Sequence, residues 1–332
     1  MKKYLAALLA MAMTVTALAG CGNSGSDTPA ADNGEGEGGE TYKVAYIARA
    51  QSDSFAAWLA NEMIAAAEKY PDIELQVFDG QADDAKENAA IENAIASGFD
   101  AIIVQPNNGE AQRPYVEKVV AEGIVAITTN ARIEGIEGAS SVDADPYKQA
   151  QVNAELALTQ VPENGKVVVL KGPSGNFHAD ERLKAWQEVF FAARPDVTIL
   201  GEDFANWNKD EAMQLMEDWT IAFGDIDAIV SMNDNMAAGA LEVVKDNPQY
   251  ADILSYGVDG TAEAALLIEE GKMTATCLQS AIDLAELNME TVHKLLTGEE
   301  TQIDTDIEEV LITKDNASEF VEMYRERGQI TE

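Results

Sequence analysis

Along the chain, short unbroken apolar runs alternate with longer segments whose apolar residues recur at helical spacing. Two units within residues 226–241 and 253–261 show this most plainly. The runs Asp227-Ala228-Ile229-Val230-Ser231 and Leu254-Ser255-Tyr256-Gly257-Val258 stop at Asn233-Asp234-Asn235 and Asp259-Gly260-Thr261, and a helix-like pattern follows each. Strands apolar on both faces suit a parallel sheet covered by helices, and in such doubly wound α/β sheets ligands bind beyond the carboxyl ends of the strands. Asn233 and Asp259 therefore fall at a binding edge, although capping of the next helix is the plainer role open to Asn233 or Asp234.

The same alternation starts at Tyr42. It predicts strands over 44–48, 75–78, 101–104, 125–128, 166–170 and 197–200, and helices over 55–70, 85–96, 111–121, 179–192 and 209–223. Strand signals recur in both halves of the chain, which predicts two similar lobes. The halves also echo each other: Asp100-Ala101-Ile102-Ile103 and Asp227-Ala228-Ile229-Val230 each precede a polar turn containing Asn. About thirty residues further on stand a second pair of polar strand ends, Asn130 and Asp259. Facing edges of two such lobes make a cleft of the kind that small ligands occupy.

The first 41 residues do not join this pattern. Residues 1–20 begin with Lys2-Lys3, carry an apolar run over 5–18 and end in Leu18-Ala19-Gly20, which with Cys21 is similar to the lipobox of bacterial lipoproteins. The run is short for a membrane span, and the segment reads as a lipoprotein signal peptide that leaves Cys21 as the lipidated N-terminus. Residues 21–41 hold that Cys and a stretch rich in Gly, Ser, Asp and Glu without aliphatic residues larger than Ala, which reads as a flexible acidic tether. Its Gly34-Glu35-Gly36-Glu37-Gly38-Gly39 fits the dinucleotide spacing, but no strand precedes it and its glutamates repel a pyrophosphate. Cys277 is then the one cysteine left, so no intrachain disulfide forms, and its surroundings predict a buried apolar role.

A length of 332 residues with 46% apolar content suits two cores. The formal charge of −37 becomes −39 once Lys2 and Lys3 leave with the leader. Such a surface repels nucleic acid and anionic lipid, so no nucleic-acid partner is expected and contact with the membrane runs through the lipid on Cys21 only.

From Tyr42 onward the chain resembles the ribose- and galactose-type sugar-binding proteins of bacterial ABC importers, which have the type I periplasmic-binding-protein fold. The resemblance rests on Asp53-Ser54-Phe55, the Asn130 strand end, Gly172-Pro173-Ser174-Gly175 followed by Arg182, Asn206-Trp207, Asn233-Asp234-Asn235-Met236-Ala237-Ala238-Gly239-Ala240, Gly257-Val258-Asp259-Gly260-Thr261, and Gln279. It implies two doubly wound parallel-sheet lobes joined by a three-crossing hinge near Asp143-Ala144, Gln279-Ser280 and Glu308-Glu309. Lobe one would be 42–143 plus 280–308, and lobe two 144–279 plus 309–332. It further implies ligand contacts from Asp53, Phe55, Asn130, Arg182, Trp207, Asn233, Asp259 and Gln279.

Those residue types suit a sugar independently of the resemblance. Hydroxyls donate and accept, as carboxylates, amides and guanidinium require, while flat Phe55 and Trp207 suit the C–H faces. Asp259 shows no obvious neighbouring cation in the sequence, and Trp207, between Asn206 and Asn208, reads as a polar-turn residue rather than core. Departures from the ribose-type pattern bear on specificity: Asp53 replaces a usual Asn, Asn130 a common Asp, and Ala131 an Arg, with Arg132 one place on.

The expected function is thus that of a monomeric extracytoplasmic lipoprotein on the cell membrane. It captures a monosaccharide or similar polyol by hinge closure and delivers it to an ABC permease, without cofactor or metal. A sensor presenting its closed form to a signalling receptor is the alternative, and a cleft glycosidase using Asp53 and Asp259 a further one. Catalysis is not expected: His178 and His293 are the sole histidines, no metal-ligand spacing occurs, and Ser174 lacks the full GxSxG elbow. His178 reads as a turn or helix-start residue near the cleft edge, and His293 as a surface position on a helix. Sugar-responsive repressors resemble the same fold, but an acidic exported chain cannot serve as one.

Overall fold

In the computed structural model the described residues are 41–330; the leader, Cys21 and nearly all of the tether lie outside them. The chain forms two six-stranded sheets. The first contains β1 (Tyr42–Ala48), β2 (Ile73–Asp79), β3 (Ala101–Val104), β4 (Val125–Asn130) and β5 (Ala139–Asp143). The second contains β6 (Lys166–Lys171), β7 (Thr198–Phe204), β8 (Ala228–Ser231), β9 (Leu254–Asp259) and β10 (Ala275–Leu278). Then β11 (Asp304–Asp306) joins the first sheet and β12 (Val310–Thr313) the second, giving orders β11-β5-β4-β3-β1-β2 and β12-β10-β9-β8-β6-β7.

The architecture is α/β with two similar doubly wound lobes, and the equivalent strand orders account for the echo between the halves. Every observed pairing is parallel except β12 on β10, which is antiparallel. Central strands are buried on both faces, Val44 to Ala48 all at 0% exposure, which is why they read as unbroken apolar runs.

Among the described residues ten α-helices cover the sheets: α1 (Ser54–Ala67), α2 (Asp84–Ala96), α3 (Gly109–Ala121), α4 (Pro146–Gln160), α5 (Phe177–Ala185), α6 (Lys209–Phe223), α7 (Asp234–Val244), α8 (Ala262–Glu269), α9 (Ala281–Leu296) and α10 (Ala317–Glu326). Most start on an Asp, Asn, Ser or Thr whose side chain accepts a first-turn N–H, Asp53, Asn176, Asn233 and Ser280 among them. Since each helix begins where a strand has just ended, these capping residues collect at the carboxyl edges.

Three local features depart from the pattern. The helix expected over 179–192 is α5 followed by a π-helical turn, Trp186–Phe191, where Trp186 and Phe190 both turn into the core with rings 5.6 Å apart. Strand β5 and helix α4 fall in a region where the periodicity predicts neither. In β5, Ser140 and Ser141 are buried because they bond to the C-terminal strand region: Ser141 Oγ donates to Asp304 at 2.8 Å, and Ser140 Oγ accepts from Ile303 N–H at 2.9 Å. The inward face of α4 is carried by small Ala150, Ala154 and Ala157, which give little hydrophobic contrast.

Candidate functional site

The carboxyl ends of both sheets face one cavity, about 40 Å³ in volume and partly open to solvent. From the first lobe come Arg49, Asp53 and Phe55 beyond β1, Gln105 and Pro106 beyond β3, and Asn130 at the end of β4. From the second come Asn176, His178 and Arg182 beyond β6, Trp207 beyond β7, Asn233 beyond β8, Asp259 at the end of β9 and Gln279 beyond β10. All eight residues predicted to meet a ligand therefore line one cavity. Arg49, Gln105, Pro106, Asn176 and His178 join them; His178 alone carried a sequence signal, its place near the cleft edge.

Arg182 is 2% exposed, far from a surface charge. Its Nη1 donates to the Met232 carbonyl at 2.7 Å and its Nη2 to Gln149 and Gln279 Oε1, both at 2.9 Å. Nη2 also lies 3.7 Å from Asp259, which corrects the expectation that Asp259 has no cation beside it; the partner is 77 positions away in sequence, out of reach of local reading. Burial raises the Asp259 carboxyl well above the usual range, the Arg182 charge opposing and Asp234 and Asp53 adding. Asp53 caps α1 through Oδ1, which accepts the Ala56 N–H at 2.9 Å, and pairs with Arg49 at 2.8 Å. Arg182 is thus not the sole cation at the wall. Each wall guanidinium thus stands beside a carboxyl group, Arg49 with Asp53 and Arg182 with Asp259.

Trp207 corrects the polar-turn reading. It is 9% exposed and packs into the second lobe's core, with its ring 5.7 Å from the Arg182 guanidinium. A Cβ at Gly172 would lie 2.3 Å from the indole, so the Gly172 turn exists to admit this ring. The apolar neighbourhood absent from its flanking residues comes from distant strands. Its backbone has φ 62°, held by Asn235 Nδ2 donating to the Trp207 carbonyl at 2.8 Å. Asn130 at φ 65° and Asp259 at φ 123° are likewise in the left-handed half, and such residues cost of order 1–3 kcal/mol each and cluster at functional sites.

His178 is 9% exposed, and its imidazole is held well below its usual pKa by burial, then by Arg182 and Arg49, with a hydrogen bond to the Asn130 backbone acting the other way. It is neutral here, and the bond reaches across from lobe two to lobe one. Asn130 Oδ1, His178 Nε2, Arg182 Nε and Asp259 Oδ2 are all buried without a hydrogen-bond partner among the described residues. Unmatched buried donors and acceptors cost about 1–3 kcal/mol each, so four around one cavity mark a place where a polar guest makes up the difference. Phe55, edge-on to Trp58 with centroids 6.0 Å apart, supplies the other aromatic.

Asn233 fills both roles open to it: Oδ1 caps α7 by accepting the Met236 N–H at 3.0 Å, and the residue lines the cavity. Ala131 and Arg132 are not part of the wall; Arg132 Nη2 turns to Asp306 at 3.4 Å. His293 sits on α9, 3.2 Å from Asp72. The chain passes between sheets after Asp143, where Oδ1 accepts the Ala144 N–H at 2.7 Å; through Gln279 to Ser280, which caps α9; and through Glu308 and Glu309, between β11 and β12.

A model of the periplasmic binding protein domain family matches residues 44–300. The xylitol-binding protein of Mycolicibacterium smegmatis is 29% identical over 255 residues, covering 76% of this chain and 72% of that one. The ribose import binding protein of Escherichia coli is 25% identical over 240 residues, 72% of this chain and 80% of that one. Among solved structures, an ABC transporter solute binding protein from Bacillus halodurans with bound myo-inositol superposes with a TM-score of 0.78 at 26% identity, over 87% of this chain and 100% of that chain.

Proposed function

The chain belongs to the periplasmic binding protein family, and from that premise we propose that it is an extracytoplasmic lipoprotein, anchored through Cys21, that captures an uncharged monosaccharide or similar polyol and delivers it to an ABC permease. The observation that carries this reading is the wall with four buried, unpartnered polar atoms and Phe55 and Trp207 beside them. Hydroxyl groups donate and accept at once and so satisfy Asp259 Oδ2, Asn130 Oδ1 and His178 Nε2 as acceptors and Arg182 Nε as donor. Both wall guanidiniums already have a carboxyl group beside them, which favours a neutral guest, because an added charge would be buried without a partner of its own. The kinship with proteins named for xylitol, ribose and myo-inositol supports the same class.

The lobes, 42–143 plus 280–308 and 144–279 plus 309–332, move about the crossings at Asp143-Ala144, Gln279-Ser280 and Glu308-Glu309. A ligand touching both lobes stabilises the closed form differentially, and the permease reads that form. A thermal-shift screen over pentoses, hexoses, furanosides, xylitol and myo-inositol tests the reading. A ligand at one hundred times its Kd adds about 2.7 kcal/mol of stability. No shift with any of these compounds, from a folded protein, would overturn it.

A further inference from the structure

Gln149, on α4, is 1% exposed and forms no part of the cavity wall, yet it stands directly behind two residues that do. Arg182 Nη2 donates to Gln149 Oε1 and to Gln279 Oε1, each at 2.9 Å, and Gln149 Nε2 donates to Gln279 Oε1 at 3.0 Å. A guanidinium has donors only, so the amide atoms facing Nη2 must be oxygens; the chemistry of Arg182 fixes which way both amides point. With Oε1 taken twice, Gln279 has only its NH2 group to offer the cavity.

Three other wall amides share this state. Gln105 Oε1 accepts from the Tyr46 hydroxyl and the Arg49 N–H, both at 3.1 Å. Asn176 Oδ1 accepts the Ala179 N–H at 3.2 Å and Asn233 Oδ1 the Met236 N–H at 3.0 Å. Those three are each locked by a backbone donor, whereas side chains alone lock Gln279. One substitution at Gln149 therefore removes one of the two bonds on Gln279 Oε1 and leaves Arg182 alone to orient the amide. The helix that carries the lock is itself pinned one turn on, where Asn153 Nδ2 donates to the Gly257 carbonyl at 2.8 Å beside Asp259.

We propose that Gln149 is a positioning residue that holds Gln279 as a donor toward the ligand, so that the ligand hydroxyl at that point must accept. Its consequence for affinity rests on the polyol-capture reading; its geometry does not. Gln149→Glu keeps an acceptor for Arg182 but has no proton for Gln279 Oε1, so its carboxylate repels that oxygen and attracts the Gln279 NH2, competing with Arg182 for the orientation of the amide. Gln149→Met removes both bonds without placing a charge in the interior.

The first measurement uses no sugar. In protein labelled with 15N at glutamine side chains, the Gln279 amide signal is assigned by its loss in Gln279→Met. It moves in Gln149→Met and further in Gln149→Glu; a purely structural role would lower the melting temperature without weakening binding. An unchanged Gln279 signal in either folded variant overturns the proposal. The second measurement titrates D-ribose, D-allose, xylitol and myo-inositol. Whichever binds the parent chain binds Gln149→Glu about tenfold more weakly, the value of one misdirected hydrogen bond. Equal affinity in a variant whose Gln279 signal has moved also overturns the binding role. If none of the four binds the parent chain, the polyol-capture reading fails for these compounds, and the amide signal still decides the role of Gln149.

Discussion

Arg182 and Asp259 stand 3.7 Å apart with both side chains 3% exposed, and each keeps one polar atom, Nε and Oδ2, without a hydrogen-bond partner among the described residues. The pair is half satisfied by the protein. Asp259→Asn keeps the shape and puts an NH2 group in place of one carboxyl oxygen; a buried hydrogen bond left unmade costs about 1–3 kcal/mol, so affinity for the captured polyol falls about tenfold by calorimetry. Asp259→Ala also strands the Arg182 charge and lowers unfolding stability by about 3–5 kcal/mol. Unchanged affinity in Asp259→Asn would remove Asp259 from the site.

Trp207 is both wall and core. Trp207→Ala is expected to weaken binding and to cost about 3–5 kcal/mol of stability, the range for a buried aromatic. Gly172→Ala separates the two effects: its methyl displaces the indole edge, at 2.3 Å, without deleting the ring. Binding weakens more than stability does. Denaturant titration beside calorimetry checks both.

The fold was legible because buried parallel strands leave unbroken apolar runs, whereas β5 and α4 were not, since serine–carboxylate bonds and an alanine face bury them without that signature. At the site, Asn130, Asn233 and Asp259 announced themselves as polar residues at strand ends. Arg49 did not: nothing marks it except its spacing of four from Asp53, and the ion pair of 2.8 Å is visible only once the chain bends back. Asn176 and Gln105 resembled ordinary cap and turn residues because their oxygens do serve the backbone.

Glu87 carries a pH prediction. It is 0% exposed, accepts the Asn107 N–H at 3.0 Å through Oε2, and has no partner for Oε1 among the described residues. Burial pushes its carboxyl up to about 8, Asn107 and Arg49 opposing and Asp84 adding. The folded chain thus holds this proton to higher pH than the unfolded chain, whose glutamate titrates near ~4.3, so the contribution to stability is complete in acid and is lost as pH rises through about 8. Glu87→Gln, which does not ionise, should melt above the parent at alkaline pH, with the gap narrowing toward pH ~5. A gap independent of pH would refute this.

Closure has its own marks. Trp58 of α1 meets Tyr324 of α10 edge-on with centroids 6.0 Å apart, and Glu62 pairs with Arg327 at 3.2 Å, linking helices of different lobes. Small-angle scattering is expected to show a smaller radius of gyration at saturating ligand. A constant radius at proven saturation counts against hinge motion.

Mass spectrometry of protein from native membranes is expected to find a diacylglyceryl-modified N-terminus at Cys21. Cys21→Ser should release the chain into the soluble fraction. A soluble wild-type protein starting elsewhere would end the lipoprotein assignment.

The two short strands β11 and β12 come from residues 304–313, yet they complete opposite sheets. Until that segment leaves the ribosome, β5 and β10 both present open edges, and open edges invite pairing with other chains. Neither sheet is therefore complete until that segment is in place. A truncation before Asp304 is expected to aggregate even though every wall residue of the cavity is still present.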